Sequence, residues 1–522
     1  MSDHKVAPEY DSEKSVPLGH VDKDGIAVGV GDADDYKTAA AQEAVTTGEE
    51  GRGLYMDLDK GLVGWDDEND LTNPLNWSWG RRWRLMGLVA VMSTLSPMSS
   101  SICAPGTSLT LKEFNVTSNT IGSLMISIFV LGYAIGPLFL APLSEMYGRV
   151  IVVNISSIFF NAFMLGCSFA PNMPSLIIMR LLAGIGGSAV MTIVPAVVGD
   201  CFPYHKRAMA SAIVIGTPTL APIVGPIAGG FISQQLGWRW AYWILIMASG
   251  PFNLLMVFFM DESNHATILQ RKTDRLRKEL GRDDMHSQLE IRMSSRELLA
   301  KSIVRPMKFL TRSPIVFLIS FYVAVCYGTL YLLFTTIPIV FEQTYGWSIQ
   351  MTGLAYLGLG VGMFINIATI MRTNDRTVLR LRAANNGVFE PEMRLSSVIY
   401  YAVFMPLGLF IYGWCAEYRT HWILPCLAFV PFGFGLLGIF LPCQTYMVDA
   451  FLSTSASAVA ALVCFRSIFG AFLPLVGPPL YDKLGLGWGN SVLGFLTLAM
   501  TPIPLVFFRY GGRVRRRWPV EL

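Results

Sequence analysis

The chain has 522 residues, of which 52% are hydrophobic and only 15% charged, with a formal net charge of +3. A soluble chain of this size carries about one-quarter charged residues, so the composition excludes an ordinary soluble fold and points to a polypeptide solvated largely by lipid. The near-neutral total hides a division: residues 1–70 hold eighteen acidic against six basic side chains, a local balance of −12, which leaves +15 on the remainder.

The acidic head is rich in Gly, Ala and Asp and poor in aromatics, too little apolar surface to fold alone, so a disordered tail is expected over 1–80. It has no early apolar run of the kind a cleavable signal peptide requires, which leaves insertion to the first spanning helix. Twelve stretches then have the roughly 20 apolar residues a bilayer core demands. The first six cover approximately 84–106, 120–141, 150–170, 175–197, 208–232 and 239–260. After a polar stretch, 261–313, with twelve Lys or Arg and a helix-like charged run (Arg271 to Lys278), six more cover approximately 314–341, 350–371, 397–417, 421–444, 455–480 and 489–510. A short basic tail, 511–522, follows. The expected class is an all-α membrane protein of 12 transmembrane helices in two six-helix halves, 81–260 and 314–510.

Basic residues near span ends set the orientation. Arg81, Arg82 and Arg84 precede the first span, Lys206 and Arg207 follow the fourth, Arg372 to Arg394 lie between the eighth and ninth, and Arg509 to Arg517 follow the twelfth. With an even count these fall on one side, so both termini and the central stretch are expected in the cytoplasm. Asn115-Val116-Thr117 is a glycosylation sequon in the first outward loop. The eight cysteines show no paired or metal-like spacing and read as small buried hydrophobes.

The chain compares with itself at a shift of about 250 residues. Asp200-Cys201-Phe202 matches Asp449-Ala450-Phe451, Ala221 to Pro226 (APIVGP) matches Leu473 to Pro478 (LPLVGP), and Leu236-Gly237-Trp238 matches Leu486-Gly487-Trp488. Three short matches, in order and at equivalent depth, indicate duplication of a six-helix unit.

Three segments carry the chemistry. In the fourth span, Arg180 precedes Gly184, Gly186 and Gly187; a charge inside a span faces protein or water, and a functional interior role stands beside snorkelling to the outer interface. In the fifth, Pro222, Gly225, Pro226, Gly229 and Gly230 combine lost backbone donors with glycines four apart on one helix face, which suits close helix approach. Packing alone and a role in directing transport are both open, and they are compatible. Between the second and third spans, Glu145 and Arg149 stand four apart at a cytoplasmic helix end, as a conformational latch or as an exposed pair of little value. Arg466, in the eleventh span, is the other deep charge; interior pairing and substrate contact are both open. Ser96, Ser99, Tyr322, Tyr327 and Tyr331 are candidates to line a cavity for a bulky, mostly apolar ligand, and ordinary interhelical packing is the alternative for each.

The sequence has no GxxxxGK[ST] phosphate loop, no HExxH and no clustered histidines, so neither ATP-driven transport nor catalysis is expected, and no metal or cofactor.

Together these residues resemble the fungal branch of the twelve-spanner drug:proton antiporters in the major facilitator superfamily. Asn73 to Ser78 (NPLNWS) resembles that branch's signature before the first span, and Ala141 to Arg149 the superfamily's loop motif, with Glu145 where Asp is usual and Met146 where Arg is usual. Arg180 to Gly187 resembles the proton-relay motif, Pro222 to Gly230 the antiporter motif, Glu262-Ser263 with the basic run to Arg277 the segment after the sixth span, and Pro391 to Leu395 the loop before the ninth. The resemblance implies the major facilitator fold and export of an amphipathic organic compound, such as a secondary-metabolite toxin or drug, against inward proton flow. It assigns coupling roles to Arg180, Glu145 and Arg149; Asp200 and Arg466 are further coupling candidates. Uptake or export of a nutrient or polyamine by the same fold is the alternative. The implied partners are a small molecule, protons and the bilayer, not nucleic acid, with a monomer sufficient. The implied location is the plasma membrane, or alternatively the vacuolar membrane.

Overall fold

A computed structural model describes residues 55–57, 59–202, 204–290, 294–451 and 454–518, without the side chains of 204–217, 295, 296 and 375. Among the described residues the architecture is almost entirely helical. The N-terminal half contains α1 (Trp79–Ser101), a short outward α2 (Thr107–Glu113), α3 (Asn119–Met146), α4 (Arg149–Ser168), α5 (Met173–Cys201), α6 (Tyr204–Gln235) and α7 (Arg239–Phe259). Two further helices, α8 (His265–Leu280) and α9 (Ser295–Arg312), lie in the central stretch. The C-terminal half contains α10 (Pro314–Tyr345), α11 (Ile349–Leu354) continued by α12 (Leu357–Ala384), α13 (Ser396–Tyr401) continued by α14 (Phe404–Glu417), α15 (Ile423–Ala450), α16 (Ser455–Phe472), α17 (Gly477–Met500) and α18 (Pro502–Arg517).

Nine helical segments among the described residues are long and apolar enough to cross a bilayer. The last of these runs continuously from Ser455 to Arg517 but reverses at Gly485, where φ of 72° and ψ of 176° break the helix. That conformation costs glycine little. Glu417 caps the resumed helix, its Oε2 accepting from Leu486 N at 2.7 Å and Gly487 N at 3.1 Å. Divided there, and with α1 and α6 added, the described residues contain twelve helical elements of spanning length. The first begins at Trp79 rather than near 84, because Ser78 caps it by accepting from Arg81 N; a polar cap, not the onset of the apolar run, sets the boundary.

The lipid-facing surfaces are apolar in the way a bilayer requires. Ile151, Ile155 and Ile158 of α4 and Leu254 and Phe258 of α7 are exposed, whereas α10 is buried along most of its length from Ile315 to Phe341. One hydrophobic cluster organises the C-terminal half, and two, toward opposite ends of its helices, organise the N-terminal half.

Residues 1–54 of the expected disordered tail lie outside the described residues. Residues 55–78 depart from that expectation. Strand β1 (Leu62–Val63) pairs in parallel with β2 (His286–Ser287), Leu62 opposite His286. Trp65 is buried edge-on against His265 at 5.7 Å, and Lys272 Nζ donates to Asp66 Oδ1 at 2.8 Å and to the Gly64 carbonyl at 3.0 Å. Nearby, Asp261 takes Arg81 Nε at 2.8 Å and Arg84 Nη2 at 2.9 Å. Two tryptophans, Trp65 and Trp77, supply in a few residues the apolar burial that average composition conceals. The segment before α1 is thereby clasped to the segment after α7.

Candidate functional site

Arg180 is fully buried in α5. Asn172 starts that helix by accepting from Ser175 N at 2.9 Å, which places Arg180 roughly two turns below its outer end. Its Nε donates to the Met125 carbonyl at 2.6 Å, Nη2 to the carbonyls of Ser100 (3.0 Å) and Ile126 (3.4 Å), and Nη1 to the Tyr242 hydroxyl at 3.4 Å. Ser100 belongs to the last turn of α1, whose carbonyls lack helical partners. One guanidinium thus ties α5 to α1, α3 and α7, and the rings of Phe129 and Tyr242 lie 5.4 and 5.9 Å from it. This is an interior position, not a snorkelling one.

The glycines after Arg180 each admit a different neighbour. A Cβ on Gly184 would collide with the Phe129 carbonyl of α3, on Gly186 with the backbone of Ser156 and Phe160 in α4, and on Gly187 with Ser96 of α1. Ser96 Oγ donates to the Gly187 carbonyl at 2.8 Å and shares a hydrogen bond with Tyr133 Oη at 2.7 Å.

The proline–glycine segment of α6 packs on α1 in the same fashion. A Cβ on Gly225 would fall 2.6 Å from Ser101 Oγ, and one on Gly229 would overlap the Ile102 carbonyl. Pro226 has no N–H to offer the carbonyl one turn back, that of Pro222. Ser101 Oγ donates to that carbonyl instead, at 2.8 Å. The opposite half meets this segment too: a Cβ on Gly353 of α11 would lie 2.5 Å from the Pro226 carbonyl, and one on Gly230 would lie 3.0 Å from the Ile349 carbonyl. The repeat places Gly477 equivalently, against Leu332 and Thr336 of α10.

Between α3 and α4, Arg149 does not pair with Glu145, which is exposed. Its Nε reaches Asp200 Oδ2 at 3.2 Å and its Nη1 donates to Ser144 Oγ at 2.8 Å. Glu262 accepts from Arg149 N (2.9 Å) and Val150 N (3.3 Å), satisfying the free donors at the start of α4. The chain reaches this position through Gly148 at φ 98°. The second half repeats the pairing: Arg394 Nε reaches Asp449 Oδ2 at 2.9 Å, and Arg515 reaches Glu392 at 3.5 Å.

The cavity candidates separate into two places. Ser96, Tyr327, Tyr331 and Arg466 converge where the halves meet. Ser100 Oγ and Tyr331 Oη, one from each half, are 2.9 Å apart; the Tyr327 and Tyr331 rings are 5.0 Å apart; and Arg466 lies over Tyr327 at 4.8 Å and Phe440 at 4.6 Å. Cys464 Sγ closes the seam onto the Ala134 carbonyl at 3.3 Å. Tyr322 belongs instead to the packed interior of the C-terminal half, and Ser99 is fully buried in α1 with no partner for its hydroxyl. Asn115 is exposed after α2 with φ 53°, accessible for modification.

Reading by spacing missed Ser101, Glu262, Glu392 and Arg515 as contributors. Ser101 was legible in principle, because a proline four residues after another residue in a helix strands that residue's carbonyl, and a nearby hydroxyl is the usual remedy.

The profile described as Major Facilitator Superfamily matches residues 89–474. The MFS-type transporter penM of Penicillium rubens is 46% identical, covering 88% of this chain and 90% of that protein. The efflux pump radE of Floropilus chiversii is 37% identical, covering 94% and 90%. Among solved structures, the inward-open xylose transporter XylE from E. coli shares the fold at a TM-score of 0.60 and 15% identity, over 82% of this chain and 96% of that one. Duplicated halves, glycine-mediated helix contacts and these similarities agree: the chain belongs to the major facilitator superfamily and is a membrane transporter, not an enzyme.

Proposed function

We propose that this transporter exports an amphipathic organic compound, a secondary-metabolite toxin or drug, in exchange for protons and by alternating access between its two halves. The observation that carries the reading is the Pro222–Gly230 segment, whose glycines let it touch both α1 of its own half and α11 of the other. It resembles the motif associated with antiport, and similarity to a protein named an efflux pump supports the outward direction. In this reading twelve spans cross the plasma membrane with both termini in the cytoplasm, the protein acts as a monomer, and Asn115 faces outward and carries a glycan; the vacuolar membrane is the alternative location. Arg180 holds α1, α3 and α7 in register during exchange. Arg149 with Asp200 forms the inner latch, and Glu145 stands at its rim.

The test is efflux from cells expressing the protein, with a panel of planar aromatic toxins, azoles and polyamines, with and without a proton uncoupler. Uncoupler-sensitive loss of one class from the cells is the expected result. Net accumulation of a compound, or efflux indifferent to the uncoupler, would replace this reading with uptake or with unpowered release.

A further inference from the structure

The spans contain two deep arginines in opposite circumstances. All three guanidinium nitrogens of Arg180 donate to protein oxygens. Arg466 donates to none among the described residues: its Nε is buried without a hydrogen-bond partner, and its contacts are the rings of Tyr327 and Phe440. Those rings come from α10 and α15, so the head of Arg466, on α16, points into the bundle and not toward lipid. It also lies beside the seam between halves. Cys464, two residues earlier, touches the Ala134 carbonyl, and a Cβ on Gly470, one turn later, would meet both Tyr327 and Val130.

Aromatic faces offset part of the lost hydration of a cation but accept none of the five N–H bonds a guanidinium offers. Among the described residues no acidic side chain pairs with Arg466. Acidic side chains in the spans stand toward their ends, at Glu145, Asp200, Glu342, Glu417 and Asp449. A charge within a membrane is costly unless it is paired, so the missing partner is expected to arrive from outside the protein.

We propose that Arg466, with Tyr327 and Phe440, is the anion-recognition element of the substrate site, and that the exported compound is a planar organic acid. A delocalised oxyanion, a carboxylate or an ionised enol, matches the guanidinium fork through two parallel hydrogen bonds, while the apolar body of the molecule rests on the aromatic rings. This inference rests on the export reading above and narrows its substrate class.

The experiment compares 1-pyrenebutyrate with its methyl ester, by fluorescence anisotropy, on the full-length protein in phospholipid nanodiscs. The wild type is expected to bind the acid at least about tenfold more tightly than the ester, the worth of a charged hydrogen-bonded contact. Arg466→Gln removes that preference by weakening the acid, and Arg466→Lys keeps part of it. Equal binding of acid and ester, failure of the wild type to bind the acid, or a preference that survives in Arg466→Gln overturns the proposal. Should the glutamine variant not fold, the comparison on wild type still decides. Efflux of neutral Nile red from expressing cells, with no preference for the acid in nanodiscs, sinks this inference alone. If neither probe leaves the cells, the export reading is what fails.

Discussion

Arg394 Nε lies 2.9 Å from Asp449 Oδ2 beside the α12–α13 connection of the second half, as Arg149 Nε lies 3.2 Å from Asp200 Oδ2 in the first. Each arginine follows the loop after the second span of its half, and each aspartate ends the fourth span, so the duplication has preserved a contact as well as an arrangement of helices. All four side chains are largely shielded, between 12% and 23% exposed. Asp449→Asn is therefore expected to destabilise the protein by about 1 kcal/mol, above the value of a surface pair but below that of a fully buried one. Asp200→Asn should cost more, because Ser263 Oγ also donates to that carboxylate. Thermal unfolding of the two variants in detergent checks the order; equal losses would show that Ser263 adds nothing.

Ser101→Ala should reveal the exchange of donors inside α6. Without the hydroxyl, the Pro222 carbonyl loses the donor that stands in for the missing Pro226 amide, and a buried polar group left unsatisfied costs about 1–3 kcal/mol. Ser101→Thr keeps the donor and should be milder. A wild-type melting temperature for Ser101→Ala would show that the carbonyl is satisfied in some other way.

Gly229→Leu is expected to abolish transport while Gly250→Ala, in α7 with ordinary helical backbone and open space around it, is not. At Gly229 even a methyl group overlaps the Ile102 carbonyl, and overpacking of this kind typically costs about 1–3 kcal/mol. Efflux assays normalised to surface expression measure the effect. Transport by Gly229→Leu would mean that α1 and α6 need not touch.

Arg180→Ala should lower stability and pH-driven flux together, since one side chain joins four helices, and Arg180→Lys should rescue little, because a single ammonium cannot reach carbonyls on two helices and a hydroxyl on a third. Flux at wild-type rates in Arg180→Ala would remove Arg180 from the mechanism.

The clasp between Arg81, Arg84 and Asp261 gives a pH prediction. Burial works to raise the Asp261 carboxyl, but hydrogen bonds and charge from Arg81 and Arg84 outweigh it and hold the group below its usual range. A depressed folded value means the stabilisation is complete above the ordinary carboxylate pKa and disappears as pH falls through the folded one. At about one-third exposed, the carboxylate contributes less than about 1 kcal/mol. Asp261→Asn should reproduce at pH 7 the small loss that wild type shows only in acid, as read from urea unfolding of the segment around Trp65. A variant insensitive to this change would indicate that the β1–β2 pairing holds the clasp alone.

Spacing made the helices, the duplication and the proline–glycine motif legible, because each depends on residues within one span or on a fixed offset. Arg180 stood out because a charge in an apolar run needs a reason. What escaped were partners distant in sequence. Ser101 and Pro222 are 121 residues apart, Arg149 and Glu262 are 113, and Ser100 and Tyr331 are 231. No local pattern encodes such a pair; it exists only once helices have been stacked. The ordered segment around Trp65 escaped for a different reason: eighteen acidic residues set the average over 1–70, while two aromatic anchors near its end decide the local outcome.

The hydroxyl of Ser101 standing in for the amide that Pro226 lacks has a mechanical consequence. In most paired helices each rod closes its own ladder, and the two can slide or tilt past one another by exchanging only side-chain contacts. Here a rung of the α6 ladder is completed by α1, at a level where glycines leave no cushion between the rods. Shearing one helix against the other would break the bond that closes this gap in the ladder, which couples the two as a single lever. Under the alternating-access reading proposed above, opening is expected to hinge around this pair, not within it.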